Sequence, residues 1–155
     1  MVIILDSNEL SYIAGIIDGE GSIGINKIIN YNGTKTPYYR LLVQVDMVDG
    51  CIPQWLYESF GGSILARKRK EPRRAITQWQ IANKQATEFL QAILPYLRIK
   101  KPQAEIAIIF QSQRMKSGGV KGKRGQAFKS NEDMAVEESQ FLMMQNLKKQ
   151  EGTYV

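Results

Sequence analysis

The sequence predicts an α+β domain with the element order αββαββα, in which a four-stranded antiparallel sheet carries helices on one face. Apolar residues recur at helical spacing over residues 10–21, whereas residues 22–30 and 38–47 alternate between apolar and polar side chains. A second helix and a second pair of strands follow over residues 50–82. At 155 residues, the chain has the length of one domain.

The first predicted helix ends in two acidic residues separated by glycine. Ser7 or Asn8 is expected to cap its beginning, and its apolar face comprises Leu10, Ile13, Ile16 and Ile17. Asp18 and Glu20 stand at its C-terminal end, where the helix dipole favours cations rather than carboxylates. Carboxylates together with unpaired terminal carbonyls suit a hard divalent cation such as Mg²⁺. The alternative is a plain helix stop, with Gly19 and Gly21 as caps.

The two strands that follow are predicted to form a hairpin. The second strand, over residues 38–47, directs Tyr39, Leu41, Val43 and Val45 to the interior. An Asn-Gly pair at residues 32–33 favours a tight turn between the strands. The hairpin therefore has one apolar face and one polar face.

The second half of the chain repeats the pattern and adds helices. A short helix is expected to begin near Pro53 and to end at residues 61–62, followed by strands over residues 63–70 and 75–82. Amphipathic helices are predicted over residues 84–97 and 103–114. Residues 1–114 are interpreted as the core domain, residues 115–130 as a basic, glycine-rich loop, and residues 131–155 as a C-terminal helix of the same domain.

The charge pattern indicates a polyanionic partner. The net charge is +6, and six of the 21 Lys and Arg residues lie between Arg67 and Arg74, which is typical of proteins that bind nucleic acid. The sequence contains no histidine, so chemistry based on histidine is excluded and carboxylates, lysines and metal-activated water remain.

Cysteine content and hydropathy indicate an intracellular protein. The single cysteine, Cys51, cannot form a disulfide within the chain, which favours a reducing compartment, either the cytoplasm or an organelle. No apolar run is as long as a membrane span, and the first residues lack the basic segment of a signal peptide, so we expect no membrane partner.

The polar face of the sheet is a candidate DNA-binding surface. Arg and Lys read guanine and Asn and Gln read adenine in the major groove, which admits a β-ribbon. The alternative is the ordinary solvated face of an antiparallel sheet. With the basic cluster included, the candidate DNA-binding residues are Ser22, Gly24, Asn26, Ile28, Asn30, Tyr38, Arg40, Leu42, Gln44, Lys68, Lys70, Arg73, Arg74, Gln78 and Gln80.

Residues 13–21, Ile-Ala-Gly-Ile-Ile-Asp-Gly-Glu-Gly, resemble the LAGLIDADG signature of homing endonucleases and their maturase relatives. The resemblance extends over residues 10–110 through Phe-Gly-Gly-Ser-Ile at 60–64, Gln-Trp-Gln-Ile at 78–81 and the segment 93–104. It implies the αββαββα homing-endonuclease fold. It also implies that two such helices pack together, with Ile13, Ala14, Gly15, Ile17 and Asp18 at the contact between chains.

The same resemblance implies the roles of the site residues. Glu20, with the carbonyl of Gly19, would bind Mg²⁺ or Mn²⁺, and Lys100 would lie near the scissile phosphate. A polar amide commonly ends the second strand near the attacking water. Asp46 falls there in this sequence, with Gln44 two residues earlier, and both are candidate catalytic residues.

A single motif implies that a second chain supplies the other helix, so we expect a homodimer with a near-palindromic double-stranded DNA target. A strand of about nine residues spans about nine base pairs, so a dimer would cover about twenty. The resemblance implies cleavage of both strands with short 3′ overhangs. The alternatives are an RNA-binding maturase without cleavage activity and a DNA-binding regulator that does not cleave.

Overall fold

The computed structural model describes residues 4–29, 33, 36–117, 120–121, 127–128 and 130–150. The first half contains α1 (Ser7–Glu20), β1 (Gly21–Ile28), β2 (Tyr38–Met47), α2 (Cys51–Phe60), β3 (Ser63–Arg67) and β4 (Ile76–Ala82). The second half contains α3 (Asn83–Ile93), a 3₁₀ turn (Leu94–Tyr96), α4 (Lys101–Ser117), β5 (Val120–Lys121), β6 (Ala127–Phe128) and α5 (Asn131–Gln150).

The four long strands form one antiparallel sheet in the order β1-β2-β4-β3. Gly21 lies opposite Val45, Asp46 opposite Gln78 and Ser63 opposite Gln80. Because side chains alternate across a strand, this register places Ile23, Val43 and Trp79 on the same, buried side. The predicted α+β fold with a four-stranded antiparallel sheet is confirmed.

The core lies between this sheet and the helices. Its centre is aromatic: Trp79 of β4 packs edge-on against Phe89 of α3, with ring centroids 5.2 Å apart, and Phe60 packs against Phe89 at 4.7 Å. The Trp79 indole N–H donates to the carbonyl of Gly61. Gly62 has φ +89°, and a Cβ there would stand 2.3 Å from the carbonyl oxygen of Gln80. Glycine is therefore required where α2 turns into β3.

Helix α1 begins with a reciprocal cap. The Asp6 carboxylate accepts from the backbone N–H of Glu9, and the Glu9 carboxylate accepts from the backbone N–H of Asp6. The expectation that Ser7 or Asn8 caps this helix is wrong, because both lie inside it. The capping box satisfies two backbone donors and fixes where α1 starts.

Helix α5 packs beside the edge strand β1. Glu138 accepts hydrogen bonds from Lys27 of β1, at 2.8 Å, and from the phenol of Tyr39 of β2. The Tyr39 and Phe141 rings lie 5.9 Å apart. Helix α5 therefore contacts both strands of the first hairpin.

Several predicted boundaries differ from the structure. Strand β3 ends at Arg67 rather than at residue 70, and the helix predicted over residues 84–97 ends at Ile93 and continues as the 3₁₀ turn. Helix α4 runs to Ser117, and β5 pairs with β6, so part of the predicted loop at 115–130 is ordered structure. The remainder of that loop apart from residue 130, together with residues 1–3 and 151–155, lies outside the described residues. Within the described part, no helix combines the length and the apolar character needed to span a membrane.

Candidate functional site

The C-terminal end of α1 is tied to the segment that precedes α4. The Asp18 carboxylate accepts from the backbone N–H groups of residues 98, 99 and 100, at 2.9, 3.2 and 2.9 Å. A carboxylate that accepts three backbone donors satisfies groups that the start of α4 leaves unpaired. Asp18 therefore has a structural role inside the chain.

Lys100 joins the same junction through its side chain. Its ammonium donates to the backbone carbonyl of Asp18 at 3.0 Å, and the residue is only 7% exposed. A cation at this end of α1 is favoured by the helix dipole. Two candidate residues far apart in sequence, Lys100 and Glu20, are thus brought to one helix end.

Glu20 is exposed at the tip of α1, directly before β1. Gly21 pairs with Val45, so Glu20 and Asp46 lie at the same end of the sheet. Among the described residues, no hydrogen bond or ion pair occupies the Glu20 carboxylate, and the carbonyl of Gly19 lies in the last helical turn, where carbonyls lack intrahelical partners. These oxygens fit the ligand preference of Mg²⁺.

One chain does not complete a metal site. The described part of the chain contains no group of three or more acidic, cysteine or histidine side chains placed to hold a metal ion. A single exposed carboxylate and a carbonyl are a partial set of ligands for a cation that prefers octahedral coordination. A cation bound there would take its other ligands from water, from a substrate or from a second chain.

The exposed side of α1 includes a stripe of small residues at four-residue spacing: Ser7, Ser11, Gly15 and Gly19. No atom of the chain lies within 4 Å of a Cβ placed at Gly15 or Gly19. Small residues at such spacing allow the backbone of another helix to approach closely. Beside the stripe is a groove of about 450 Å³ lined by Ser11, Gly15, Asp18, Pro95, Tyr96, Leu97 and Arg98.

Three residues assigned to the contact between chains are not on that stripe. Ile13, Ala14 and Ile17 are 0% exposed and belong to the core of their own chain. Their side chains are therefore unavailable to a second molecule, and their assignment to the interface is wrong. Gly15 faces outward as expected, whereas the carboxylate of Asp18 is bonded within the chain.

The sheet surface opposite the core is called here the open face. Cross-strand pairs place Ser22 with Gln44, Gly24 with Leu42, and Asn26 with Arg40 on it. Gln44 continues the row to Gln80, and Asp46 to Gln78. Except for Tyr38, the predicted open-face residues of β1, β2 and β4 that the structure describes share one side of the sheet: Ser22, Gly24, Asn26, Ile28, Arg40, Leu42, Gln44, Gln78 and Gln80. Two of them, Gly24 and Gln78, are buried there. Asn30 lies outside the described residues.

The Tyr38 phenol is engaged by the helices. Its ring lies 5.1 Å from the guanidinium carbon of Arg114 in α4. Burial raises the pKa of Tyr38, but a hydrogen bond to Arg114 and the positive charge of Arg114 lower it, with smaller effects of Asn83 and Arg40. The lowering effects together are larger, so the pKa of Tyr38 lies below its usual value of 10.0. Tyr38 therefore takes part in a contact within the chain.

The basic cluster forms the β3–β4 turn. Lys68, Lys70, Arg73 and Arg74 are all exposed, and the Arg69 guanidinium closes the turn by donating to the carbonyl of Arg74 at 2.7 Å. The prediction that Lys68 and Lys70 continue the strand on the open face is wrong. Consecutive cations repel one another, and Pro72 cannot donate to a ladder, so the strand ends earlier.

The structure adds three residues to the open face that the sequence prediction missed. Leu65 and Arg67 of β3 pair with Gln78 and Ile76, which places both on this surface. The alternation of Ile64 and Ala66 with these residues was the signal that could have identified them. Lys148, near the end of α5, reaches Gly24, and its ammonium lies 2.8 Å from a Cβ placed there. No local sequence pattern predicts this contact between distant segments.

No protein-family model and no curated protein matches the sequence. Solved structures match the fold. I-CvuI, a homing endonuclease in complex with its target in the presence of 2 mM Ca, matches with a TM-score of 0.67 at 16% identity, over 95% of this chain and 84% of that chain. The LAGLIDADG homing endonuclease I-GzeII, in complex with a DNA target, matches with a TM-score of 0.63 at 16% identity, over 87% and 43% of the two chains. This chain has the LAGLIDADG homing-endonuclease fold.

The LAGLIDADG fold occurs in chains of this length as well as in longer ones. The homing endonuclease I-TnaI matches with a TM-score of 0.59 at 13% identity, over 95% of this chain and 96% of that chain. In this chain, the signature at residues 13–21 covers the second half of α1 and the first residue of β1.

Proposed function

We propose that this protein is a homodimeric, Mg²⁺-dependent DNA endonuclease that cleaves both strands of a near-palindromic target of about twenty base pairs. The observation that carries the proposal is the exposed Glu20 carboxylate at the tip of α1, at one end of an open polar sheet face. Relatives in fold support it, because I-CvuI, I-GzeII and I-Vdi141I were each solved with DNA.

Dimerisation is supported by the incomplete ligand set and by the outer surface of α1. A second α1 packed against the stripe of Ser7, Ser11, Gly15 and Gly19 would bring a second Glu20 to the same place. The groove between α1 and the segment 95–98 provides neighbouring surface for this contact.

Each chain would contribute the Glu20 carboxylate and the Gly19 carbonyl to the divalent-cation site. A divalent cation bound there supplies activation of water and stabilisation of the leaving oxygen. Lys100, held at the end of α1 by the carbonyl of Asp18, would offset negative charge on the reacting phosphate. Asp18 keeps this lysine and the helix tip in register by bonding the backbone of residues 98–100.

The open face and the basic turn would divide DNA binding between them. The exposed cations of residues 67–74 would contact phosphates and set the position of the protein, because phosphate contacts carry little sequence information. The accessible polar residues of β1, β2 and β4 would contact base edges in the major groove.

Substitution Glu20→Gln tests the assignment. The isosteric amide keeps the shape of the side chain but removes the charge, so cleavage should fall by about 100-fold or more while DNA binding without metal is retained. The substrate is a plasmid carrying the tightest-binding duplex recovered from a randomised library, incubated with Mg²⁺ or with EDTA. Glu105→Gln, at an exposed position of α4, is the matched control and should cleave normally.

Two results would contradict the proposal. Cleavage by Glu20→Gln at the normal rate would remove Glu20 from the catalytic site. RNA binding without cleavage of any DNA by the unmodified protein would favour the maturase alternative.

A further inference from the structure

Four polar side chains form a connected network on the open face, close to the end at which Glu20 lies. Gln44 and Asp46 belong to β2, and Gln78 and Gln80 belong to β4. Gln44 lies directly opposite Gln80, and Asp46 directly opposite Gln78. We refer to these four residues as the amide network.

Asp46 fixes the orientation of two of the amides. The Gln44 amide nitrogen donates to both carboxylate oxygens, at 3.1 and 3.0 Å, and the Gln78 amide nitrogen donates to one of them at 2.9 Å. A carboxylate has no hydrogen to donate, so an amide that faces it must present its nitrogen. The amide oxygen of Gln44 therefore points away from Asp46.

The orientation of the Gln78 amide in turn fixes that of Gln80. With its nitrogen bound to Asp46, Gln78 presents its oxygen to the Gln80 amide nitrogen, at 3.3 Å. Gln80 in turn directs its own oxygen away from Gln78. Among the described residues, no donor of the chain reaches the amide oxygens of Gln44 or Gln80. The network thus presents two amide oxygens beside one negative charge, and each of these amides keeps one N–H.

We propose that Asp46 is a specificity-determining residue that makes this part of the open face read adenine or cytosine, an inference that rests on the proposed DNA-binding function. Adenine and cytosine carry an exocyclic amino group, which donates in the major groove. Guanine and thymine present O6, N7 and O4 acceptors there. Amide oxygens held in this orientation beside a carboxylate attract the amino group of the first pair of bases and repel the acceptors of the second.

Gln44 keeps the groups with which a glutamine usually reads adenine. A glutamine that binds adenine in two places must donate to N7 and accept from the N6 amino group. The two oxygens of Asp46 lie close enough together to share one N–H of Gln44, which leaves its oxygen and its second N–H available. Adenine can therefore be bound in two places, whereas cytosine offers only its amino group, and both bases are recognised through that group.

The expected position in the target follows from the register. Asp46 is the last residue but one of β2, next to the partner of Gly21, and Glu20 immediately precedes Gly21. The bases read by the amide network should therefore lie close to the cleavage positions. A twofold dimer would read two such positions, one in each half of the target.

The test measures base preference without metal. Duplexes randomised over the whole target are bound in EDTA, recovered by gel shift and sequenced, for the unmodified protein and for Asp46→Asn. The unmodified protein should prefer adenine or cytosine at two symmetry-related positions near the cleavage sites by about tenfold. In Asp46→Asn both amides are free to turn, so guanine and thymine targets should bind more tightly and the preference should shrink to within about twofold.

Two further variants separate this role from others. Asp49→Asn makes the same change of charge at an exposed position just beyond β2 and should keep the full preference. Gln80→Met removes an acceptor but leaves Asp46 in place, and it should also lose the preference. A purely structural Asp46 would weaken binding to all sequences alike, and a metal ligand would leave preference in EDTA unchanged.

The possible failures can be told apart. If the unmodified protein prefers guanine or thymine at these positions, or if both Asp46→Asn and Gln80→Met keep the preference for adenine and cytosine, the inference is overturned. If the unmodified protein shows no sequence preference at any position, the proposed function fails as well.

Discussion

At the residue scale, the motif contains two acids with different tasks. The Asp18 carboxylate accepts hydrogen bonds from three backbone N–H groups just before α4. Glu20, two residues later, is exposed at the helix tip. The difference arises because residues two apart on a helix point in directions about 200° apart. One acid therefore holds the site together and the other is free to act in it.

Asp18→Ala should lower the free energy of unfolding by about 2 to 3 kcal/mol, because three backbone donors lose a charged acceptor. Urea unfolding followed by circular dichroism measures the change. Glu88→Ala, at an exposed position of α3, should change stability by less than about 0.5 kcal/mol. Equal stability of Asp18→Ala and the unmodified protein would mean that water replaces the carboxylate at no cost.

The roles of these two acids could be predicted from sequence only in part. Glycines and carboxylates at a helix end indicate a cation site, and the structure does place Glu20 in the open. The partner of Asp18 lies 80 residues away in sequence, at residue 98, and no local pattern encodes that contact. Gln44 and Asp46 were predicted to lie on one face, but their mutual hydrogen bonds depend on rotamers that spacing does not determine.

At the scale of elements, one carboxylate of α5 bonds both strands of the first hairpin. Glu138 bonds Lys27 and Tyr39, and the hydrogen bond from Lys27, followed by that from Tyr39, lowers the pKa of Glu138. When folding lowers the pKa of a carboxyl group, its charged form stabilises the folded state at pH values above the unfolded-state pKa. This stabilisation is lost as the pH falls through the folded-state pKa. The contact should therefore weaken in acid.

Glu138→Gln tests this dependence. At pH 7 the variant should be less stable by about 1 kcal/mol, since the pair is partly exposed and screened by solvent. The difference in stability between the two proteins should shrink as the pH falls below 4.5, the ordinary pKa of glutamate, because the unmodified carboxyl group then also becomes neutral. Urea unfolding at several pH values measures the two curves, with Glu88→Gln as the control. A deficit that stays constant into strong acid would show that shape, rather than charge, matters at this position.

The order of the helices and strands could be predicted because apolar residues recur about every 3.6 residues in a helix and every second residue in a strand. Glycines mark several of the junctions between them. The end of β3 could not be predicted, because the apolar residues of 63–66 are followed by charged residues that fit either a strand or a turn. The path of α5 was not predictable either. Its packing depends on Glu138 and Phe141 meeting strands more than 90 residues earlier.

At the scale of the whole molecule, the surface of α1 decides whether one chain can act alone. The buried side of α1 serves its own core through Ile13, Ala14 and Ile17, and the outward side includes the stripe of small residues that contains Gly15. An exposed glycine inside a helix lowers the stability of an isolated chain by about 1 kcal/mol relative to alanine. Gly15 therefore makes the isolated chain less stable than an alanine would. A second helix packed closely against α1 would explain why a glycine is present at this position.

Gly15→Leu distinguishes an isolated chain from a dimer by effects of opposite sign. Within one chain nothing lies within 4 Å of a Cβ at this position, and leucine is a better helix former than glycine, so the folded chain should be as stable as before or slightly more so. Between two chains, the added side chain would hold the helices apart. The variant should therefore sediment as the 17.6 kDa monomer, with or without target DNA, and should lose double-strand cleavage.

Gln91→Leu adds the same side chain to an exposed position of α3 and should leave assembly and cleavage unchanged. A Gly15→Leu protein that remains dimeric and cleaves normally would show that the chains do not meet through α1. In that case the two Glu20 carboxylates would not share one site, because each stands at the end of its own α1.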